Sequence, residues 1–210
     1  ELNIGTAKPS AKELLACKHH FISNISLKEN YTAAQYEQDA LKLCDTLFEQ
    51  HPYLVLTGGS GLYIDAVCQG FDDAPPSDPK VRAELECILN NEGIKALQDL
   101  LFQLDPLYAQ KVDLHNPQRI IRAIEINQLS GKQMHFFQKG IPKLRPFHIL
   151  KICLTMDRDL LYERINRRVD VMIKQGLEDE ALAYYHLKTL NALQTVGYKE
   201  FFHYFEGKYS

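Results

Sequence analysis

"YLVLTGGSGLYIDA", residues 53–66, decides how the rest of the chain is read. Leu54, Val55 and Leu56 form a short apolar run without alternation, the pattern of a strand covered on both faces. Gly58, Gly59 and Gly61 follow at once, and a helical pattern starts after them. Strand, glycine turn and helix is the layout of a phosphate-binding loop. That loop requires G-x-x-x-x-G-K-[ST], and this stretch contains no lysine. Two readings of the turn stay open. It is a tight strand-to-helix connection without a ligand, or the glycines let a ligand approach the backbone beside a helix N-terminus with unpaired N–H groups.

Working outward, Thr32 and Gln35 form a T-x-x-Q capping box ahead of Tyr36, Ala40, Leu43, Cys44, Leu47 and Phe48, which recur at three- and four-residue steps. This predicts a helix ended by His51 and Pro52. A second unalternating apolar run lies at 149–155, "ILKICLT". Helix, buried strand, helix and buried strand again predict an α/β fold with a parallel sheet. Between the two runs the character changes. "FDDAPPSDP" (71–79) reads as an exit linker and "KGIPKLRPF" (139–147) as the return. Asp78 and Pro79 open a helix with the stripe Val81, Leu85, Ile88 and Leu89, and a second stripe runs Ile94, Leu97, Leu101, Leu104. Asn116 and Pro117 open a third helix, closed by Gly131. The expected organisation is therefore an α/β core of residues 1–72 and 147–210 with a helical insert at 73–146.

Composition agrees with a globular chain: 210 residues, 45% hydrophobic and 24% charged. No apolar run approaches the roughly 20 residues that span a bilayer, and no signal peptide is present, so a cytoplasmic location with no membrane partner is expected. Five widely spaced cysteines without a C-x-x-C pair argue against a disulfide framework and a zinc site. The eight histidines show no ligand spacing, so no metal is assigned to the protein's side chains, and no G-x-S-x-G elbow supports a hydrolase.

Charge is uneven. Residues 108–151 hold eight Lys and Arg against Asp113 and Glu125, net +6, on a chain whose total is −3. A locally basic insert is either an electrostatic footprint for a polyanion or a solvated face. On "NPQRIIRAIEI" (116–126), Ile120, Ile121 and Ile124 point one way. Gln118, Arg119 and Arg122 lie elsewhere and suit phosphate or base-edge contacts, unless Arg122 simply pairs with Glu125. On "LYERINRRVDVMIKQGLEDE" (161–180) the stripe is Leu161, Ile165, Val169 and Met172. Arg164 and Arg168 sit one turn apart beside it, either snorkelling to water or holding a phosphate. Thr6 and Lys8 beside Gly5 could bind an anion, though a loop lysine is usually solvated.

Together these segments resemble the tRNA dimethylallyltransferase (tRNA isopentenyltransferase) family. The resemblance is carried, in order, by "LNIGTAKP", "HHFI", "YTAAQY", "GGSGLYIDAV", "PPSDPKVRAEL", "DPLYAQKV", "NPQRIIRAIEI", "SGK", "RINRRVDVMIKQGLEDE" and "TVGYKEF". Ser60 stands where the family usually has threonine. The resemblance implies a P-loop NTPase-like core with an inserted helical tRNA-binding domain. It implies transfer of the dimethylallyl group from dimethylallyl diphosphate to N6 of adenine 37, next to the anticodon, with Mg²⁺. The anticodon stem-loop would meet Gln118, Arg119, Ile120, Ile121, Arg122, Gly61, Ala83, Thr6 and Lys8. Gly58, Gly59 and Ser60 would line the reaction channel, and Arg168 and Arg164 would hold the diphosphate. A monomer is expected.

The family's phosphate loop and the segment bearing its proposed general-base Asp precede the point where this sequence begins. Members also continue beyond residue 210, and "YHLKTLNALQTVGYKE" is shorter than their usual passage, so a loop is expected to be absent between Lys188 and Thr189. The residues are therefore expected to be an incomplete record of the enzyme, inactive in isolation, with its catalytic residues upstream of Glu1. Two alternatives remain at this point: a prenyltransferase acting on free AMP or ADP, and a noncatalytic RNA-binding remnant.

Overall fold

The computed structural model describes residues 1–138 and 140–209. Lys139, counted above in the basic stretch, lies outside the described residues. The α-helices among them are α1 (Ala11–Ala16), α2 (Ala33–Phe48), α3 (Gly61–Gln69), α4 (Pro79–Glu92), α5 (Ile94–Leu104), α6 (Pro106–Ala109), α7 (Pro117–Ser130), α8 (Arg158–Lys174), α9 (Leu177–Ala183) and α10 (Tyr198–Phe205). Short 3₁₀ turns stand at Met134–Phe136, Tyr185–Leu187 and Asn191–Leu193.

The parallel-sheet α/β core expected from the sequence is not present: among the described residues there is no strand. The reason is physical. A run such as Leu54–Leu56 becomes a strand only through ladder hydrogen bonds to a neighbouring backbone, and neither it nor 149–155 has one among the described residues. Their side chains are accordingly uncovered, with Val55 90% and Leu154 93% exposed. The helix read at 161–180 is also divided, because Gly176 adopts a left-handed conformation (φ 97°) between α8 and α9. Its apolar stripe is half-exposed at Leu161, Ile165 and Val169 rather than buried.

By compactness the chain divides into two units, Ala33–Ile149 and Glu1–Thr32 with Leu150–Ser210. In the first, the helix signals of the sequence produce helices where expected. The Asp78 carboxylate accepts the N–H groups of Lys80 (2.8 Å) and Val81 (3.2 Å), with Pro79 at the first helical position of α4. Asn116 caps α7 through the Arg119 N–H, and Gly131 ends it in the left-handed region. Each such cap is worth about 1 kcal/mol. The stripes then meet in one core: Leu85 of α4, Leu97 and Leu101 of α5, and Ile120, Ile121 and Ile124 of α7 are buried together, with Val81, Ile88, Leu89, Ile94 and Leu104 packed around them. Burial of each large aliphatic chain contributes roughly 1.5–3 kcal/mol.

The same unit contains α2 and α3, tied to the chain that returns from the helical segment. Arg145 donates to the carbonyls of Ala66 (2.9 Å) and Val67 (2.8 Å) near the end of α3 and pairs with Glu37 of α2 at 2.7 Å. Glu37 also accepts the Phe71 N–H, where the chain leaves toward α4. One buried ion pair thus fixes both outgoing and returning segments. Gly70 is needed here, since a Cβ would come within 2.7 Å of the Lys143 side chain and its φ is +77°.

In the second unit a smaller core gathers Leu2, Leu177, Ala181, Leu193, Tyr198 and Phe202, with Ile4, Leu27, Met172, Tyr185 and Phe205 against it. Residues 2–9 are thereby anchored to α9 and α10.

Candidate functional site

Lys8 and the α8 arginines share one cleft. It has a volume of about 640 Å³ and is walled on one side by Asn3, Ile4 and residues 7–10 and on the other by α8 and Gln175. Lys8, Arg164, Arg167 and Arg168 supply its charge, Asn3, Ser10 and Gln175 its neutral polar groups, and Val171 and Met172 an apolar patch. Its lining includes no Asp or Glu. Among the described residues none of these four cations forms an ion pair with a carboxylate; Arg164 reaches only the Met156 thioether at 3.9 Å, and Lys8 Nζ donates to Asn3 Oδ1 at 2.7 Å. Four unneutralised cations around a half-apolar hollow suit an anion with a hydrocarbon tail. Arg167 escaped the sequence reading; the adjacent "RR" was its only signal.

The wall at 3–8 is held from behind. Glu180 of α9 accepts the N–H groups of Asn3 (2.8 Å), Ile4 (3.0 Å) and Gly5 (3.1 Å) and the hydroxyl of Tyr198. Burial alone would raise the Glu180 pKa, but the Tyr198 hydroxyl and the three N–H groups outweigh it and hold the carboxyl below its usual value. Burial and the Glu180 bond together push the Tyr198 phenol well up. Thr6, by contrast, is exposed and off the cleft lining, its hydroxyl donating to the Leu2 carbonyl.

The residues of α7 have different surroundings. Ile120 and Ile121 are fully buried in the helical core. Arg122 donates to the Glu125 carboxylate (2.8 Å) and to the Pro75 carbonyl (2.6 Å), which stitches α7 to the exit linker. Glu125 is itself buried and accepts from Ser77 and from the Asp78 N–H. Desolvation pushes its pKa up, but the Ser77, Arg122 and Asp78 bonds bring it below the ordinary value. Gln118 accepts a hydrogen bond from Arg82 of α4, while Arg119 and Ala83 are exposed.

The glycine turn that opened the question has ordinary negative φ values throughout, since Gly58, Gly59 and Gly61 are absent from the positive-φ residues. A Cβ at any of the three would meet nothing within 4 Å. Conformation and crowding within this chain therefore do not explain glycine there. Ser60 stands at the cap position of α3 without a side-chain bond, its carbonyl accepting the Tyr63 and Ile64 N–H groups.

The whole sequence, residues 1–210, matches the family model for IPP transferase. The chain belongs to the IPP transferase family. It is 47% identical over 209 residues to "tRNA dimethylallyltransferase 1" of Bacteroides fragilis, covering all of this chain and 69% of that protein. It is 47% identical over 216 residues to the tRNA dimethylallyltransferase of Flavobacterium johnsoniae, covering 70% of it. Among solved structures, the full-length tRNA isopentenylpyrophosphate transferase of Bacillus halodurans aligns with a TM-score of 0.62 at 37% identity, over 99% of this chain and 65% of that one. The chain thus spans about two thirds of the length of these family members.

For Mg²⁺ the residues present do not form a site: among the described residues no group of three or more His, Cys, Asp or Glu could hold a metal. No described helix is long and apolar enough to cross a membrane.

Proposed function

We propose that this protein is a tRNA-modifying prenyltransferase that moves the dimethylallyl group of dimethylallyl diphosphate onto N6 of the adenine beside the anticodon. The observation that carries the reading is the match of the entire chain to relatives named as tRNA dimethylallyltransferases. The cleft chemistry supports it independently. Lys8, Arg164 and Arg168 line the same cleft as Val171 and Met172, so a diphosphate with a five-carbon tail would find both cations and an apolar patch there.

In this reading the adenine leaves the anticodon stack, at a cost of a few kcal/mol. Its N6 attacks C1 of the allylic chain, the C1–O bond breaks, and pyrophosphate leaves. Lys8, Arg164, Arg167 and Arg168 take up the charge that develops on the departing oxygens. The N6 proton goes to a base outside the cleft lining, which holds no carboxylate or imidazole. Among the described residues no cluster of His, Cys, Asp or Glu would hold Mg²⁺, and no step is assigned to it. Arg119, exposed at the first turn of α7, is the arginine of that helix left for RNA phosphates, since Arg122 is bonded to Glu125 and Pro75. We place the reaction in the cytoplasm and treat the working species as a monomer.

The test is transfer of labelled dimethylallyl from its diphosphate by the full-length protein as its gene encodes it, offered an anticodon stem-loop or AMP. Label in the RNA alone is expected. Preference for AMP would defeat the reading.

A further inference from the structure

Residues 3–8 form a turn that does not hold itself. Ala7 sits in the left-handed region (φ 50°), which alanine adopts only where surroundings impose it. The turn is closed by Ala7 N–H to the Ile4 carbonyl (3.0 Å) and Lys8 N–H to the Asn3 carbonyl (3.1 Å). Three consecutive N–H groups, those of Asn3, Ile4 and Gly5, converge on the one carboxylate of Glu180. That carboxylate is fixed in turn by the hydroxyl of fully buried Tyr198. Gly5 lies against the phenol end of Tyr198, where a Cβ would come within 2.5 Å of ring carbons, so the turn leaves no room for a side chain at this position. From Asn3 the connection continues to the cleft, because its side-chain oxygen accepts the Lys8 ammonium at 2.7 Å.

We propose that Glu180 and Tyr198 are positioning residues which, by gripping the backbone of residues 3–5, hold Lys8 in the cleft opposite Arg164 and Arg168. The inference rests on the cleft being the diphosphate site. Neither residue touches the cleft; neither is among its lining. The grip depends on charge as well as shape. A glutamine at 180 keeps the size but turns an NH₂ group toward N–H donors, so at least one of them loses its acceptor.

The experiment measures binding of inorganic pyrophosphate by calorimetry to the full-length protein and to Arg168→Ala, Lys8→Ala, Glu180→Gln, Tyr198→Phe and Lys8→Ala/Glu180→Gln. Arg168→Ala and Lys8→Ala should each weaken binding about tenfold, as loss of a charge-assisted bond does. Glu180→Gln should weaken it by nearly as much as Lys8→Ala, and Tyr198→Phe by about threefold, as for a neutral hydrogen bond. The double variant should bind no worse than Lys8→Ala alone, because Glu180 acts through Lys8. Wild-type pyrophosphate binding by Arg168→Ala would overturn the cleft reading and this inference with it. Weak binding by Arg168→Ala together with normal binding by Glu180→Gln would overturn the inference alone. So would additive losses in the double variant, which mark a residue that only supports the fold. If Glu180→Gln does not fold, Tyr198→Phe, alone and combined with Lys8→Ala, decides by the same criteria.

Discussion

Two helices each display arginines one turn apart, and they use them in opposite ways. On α7, Arg122 is consumed internally, its guanidinium shared between the buried Glu125 carboxylate and the Pro75 carbonyl. On α8, Arg164 and Arg168 face a cleft without a carboxylate on its lining. Residue type and spacing are nearly the same; what differs is whether an acid is packed within reach. An arginine whose charge is already met inside the fold contributes to stability, and one whose charge is unmet is available to an anionic ligand.

The comparison breaks first, and most heavily, at Glu125. Glu125→Ala leaves Arg122 and the Ser77 and Asp78 donors without their acceptor and should destabilise the helical segment by about 3 kcal/mol or more, read as a shift in the urea midpoint. The same carboxylate makes stability pH-dependent. Its folded pKa lies below the unfolded value of about 4.5, so its contribution is complete above that pH and is lost as pH falls through the folded pKa. Glu125→Gln should therefore flatten the acid limb of the stability curve below about pH 4.5; an unchanged limb would show that other carboxylates set it.

Next in size is Arg168→Ala, expected to raise the donor KM about tenfold or more with an unchanged unfolding midpoint. Arg122→Ala should do the reverse, lowering stability by about 1–3 kcal/mol with the donor KM unaltered. The smallest expected effect on stability belongs to Arg119→Ala, within about 0.5 kcal/mol of wild type. This exposed residue should instead weaken tRNA binding and reduce its salt slope by roughly one. Unaltered RNA binding would leave Arg119 a solvated surface residue.

How much of this was legible in the sequence follows the range of the interactions. The helical segment was readable because its signals are local: Asp78–Pro79, Asn116–Pro117 and Gly131 set helix ends, and the stripes through Leu85, Leu97, Leu101 and Ile124 need only each other to be buried. The sheet was misread for the complementary reason. Leu54–Leu56 and 149–155 have the composition of covered strands, but a strand requires a partner backbone, which composition does not supply. The resemblance assigned Arg164 and Arg168 to the diphosphate and Lys8 to the RNA; that all three line one cleft was not legible, because it depends on a turn held from more than 170 residues away by Glu180. Nothing in "GLEDE" distinguishes the acid that makes those bonds from Glu178 and Asp179 beside it. On α7, the Arg122–Glu125 pair could be read from its three-residue spacing, but its burial against Ser77 and Asp78 could not.

The most direct test of the contrast is the dimethylallyl diphosphate KM of Arg168→Ala in the full-length protein, measured where thermal or urea unfolding shows the variant folded as wild type. An increase of about tenfold or more is expected from the loss of a charge-assisted contact. A wild-type KM would contradict the assignment of the α8 cleft to the diphosphate.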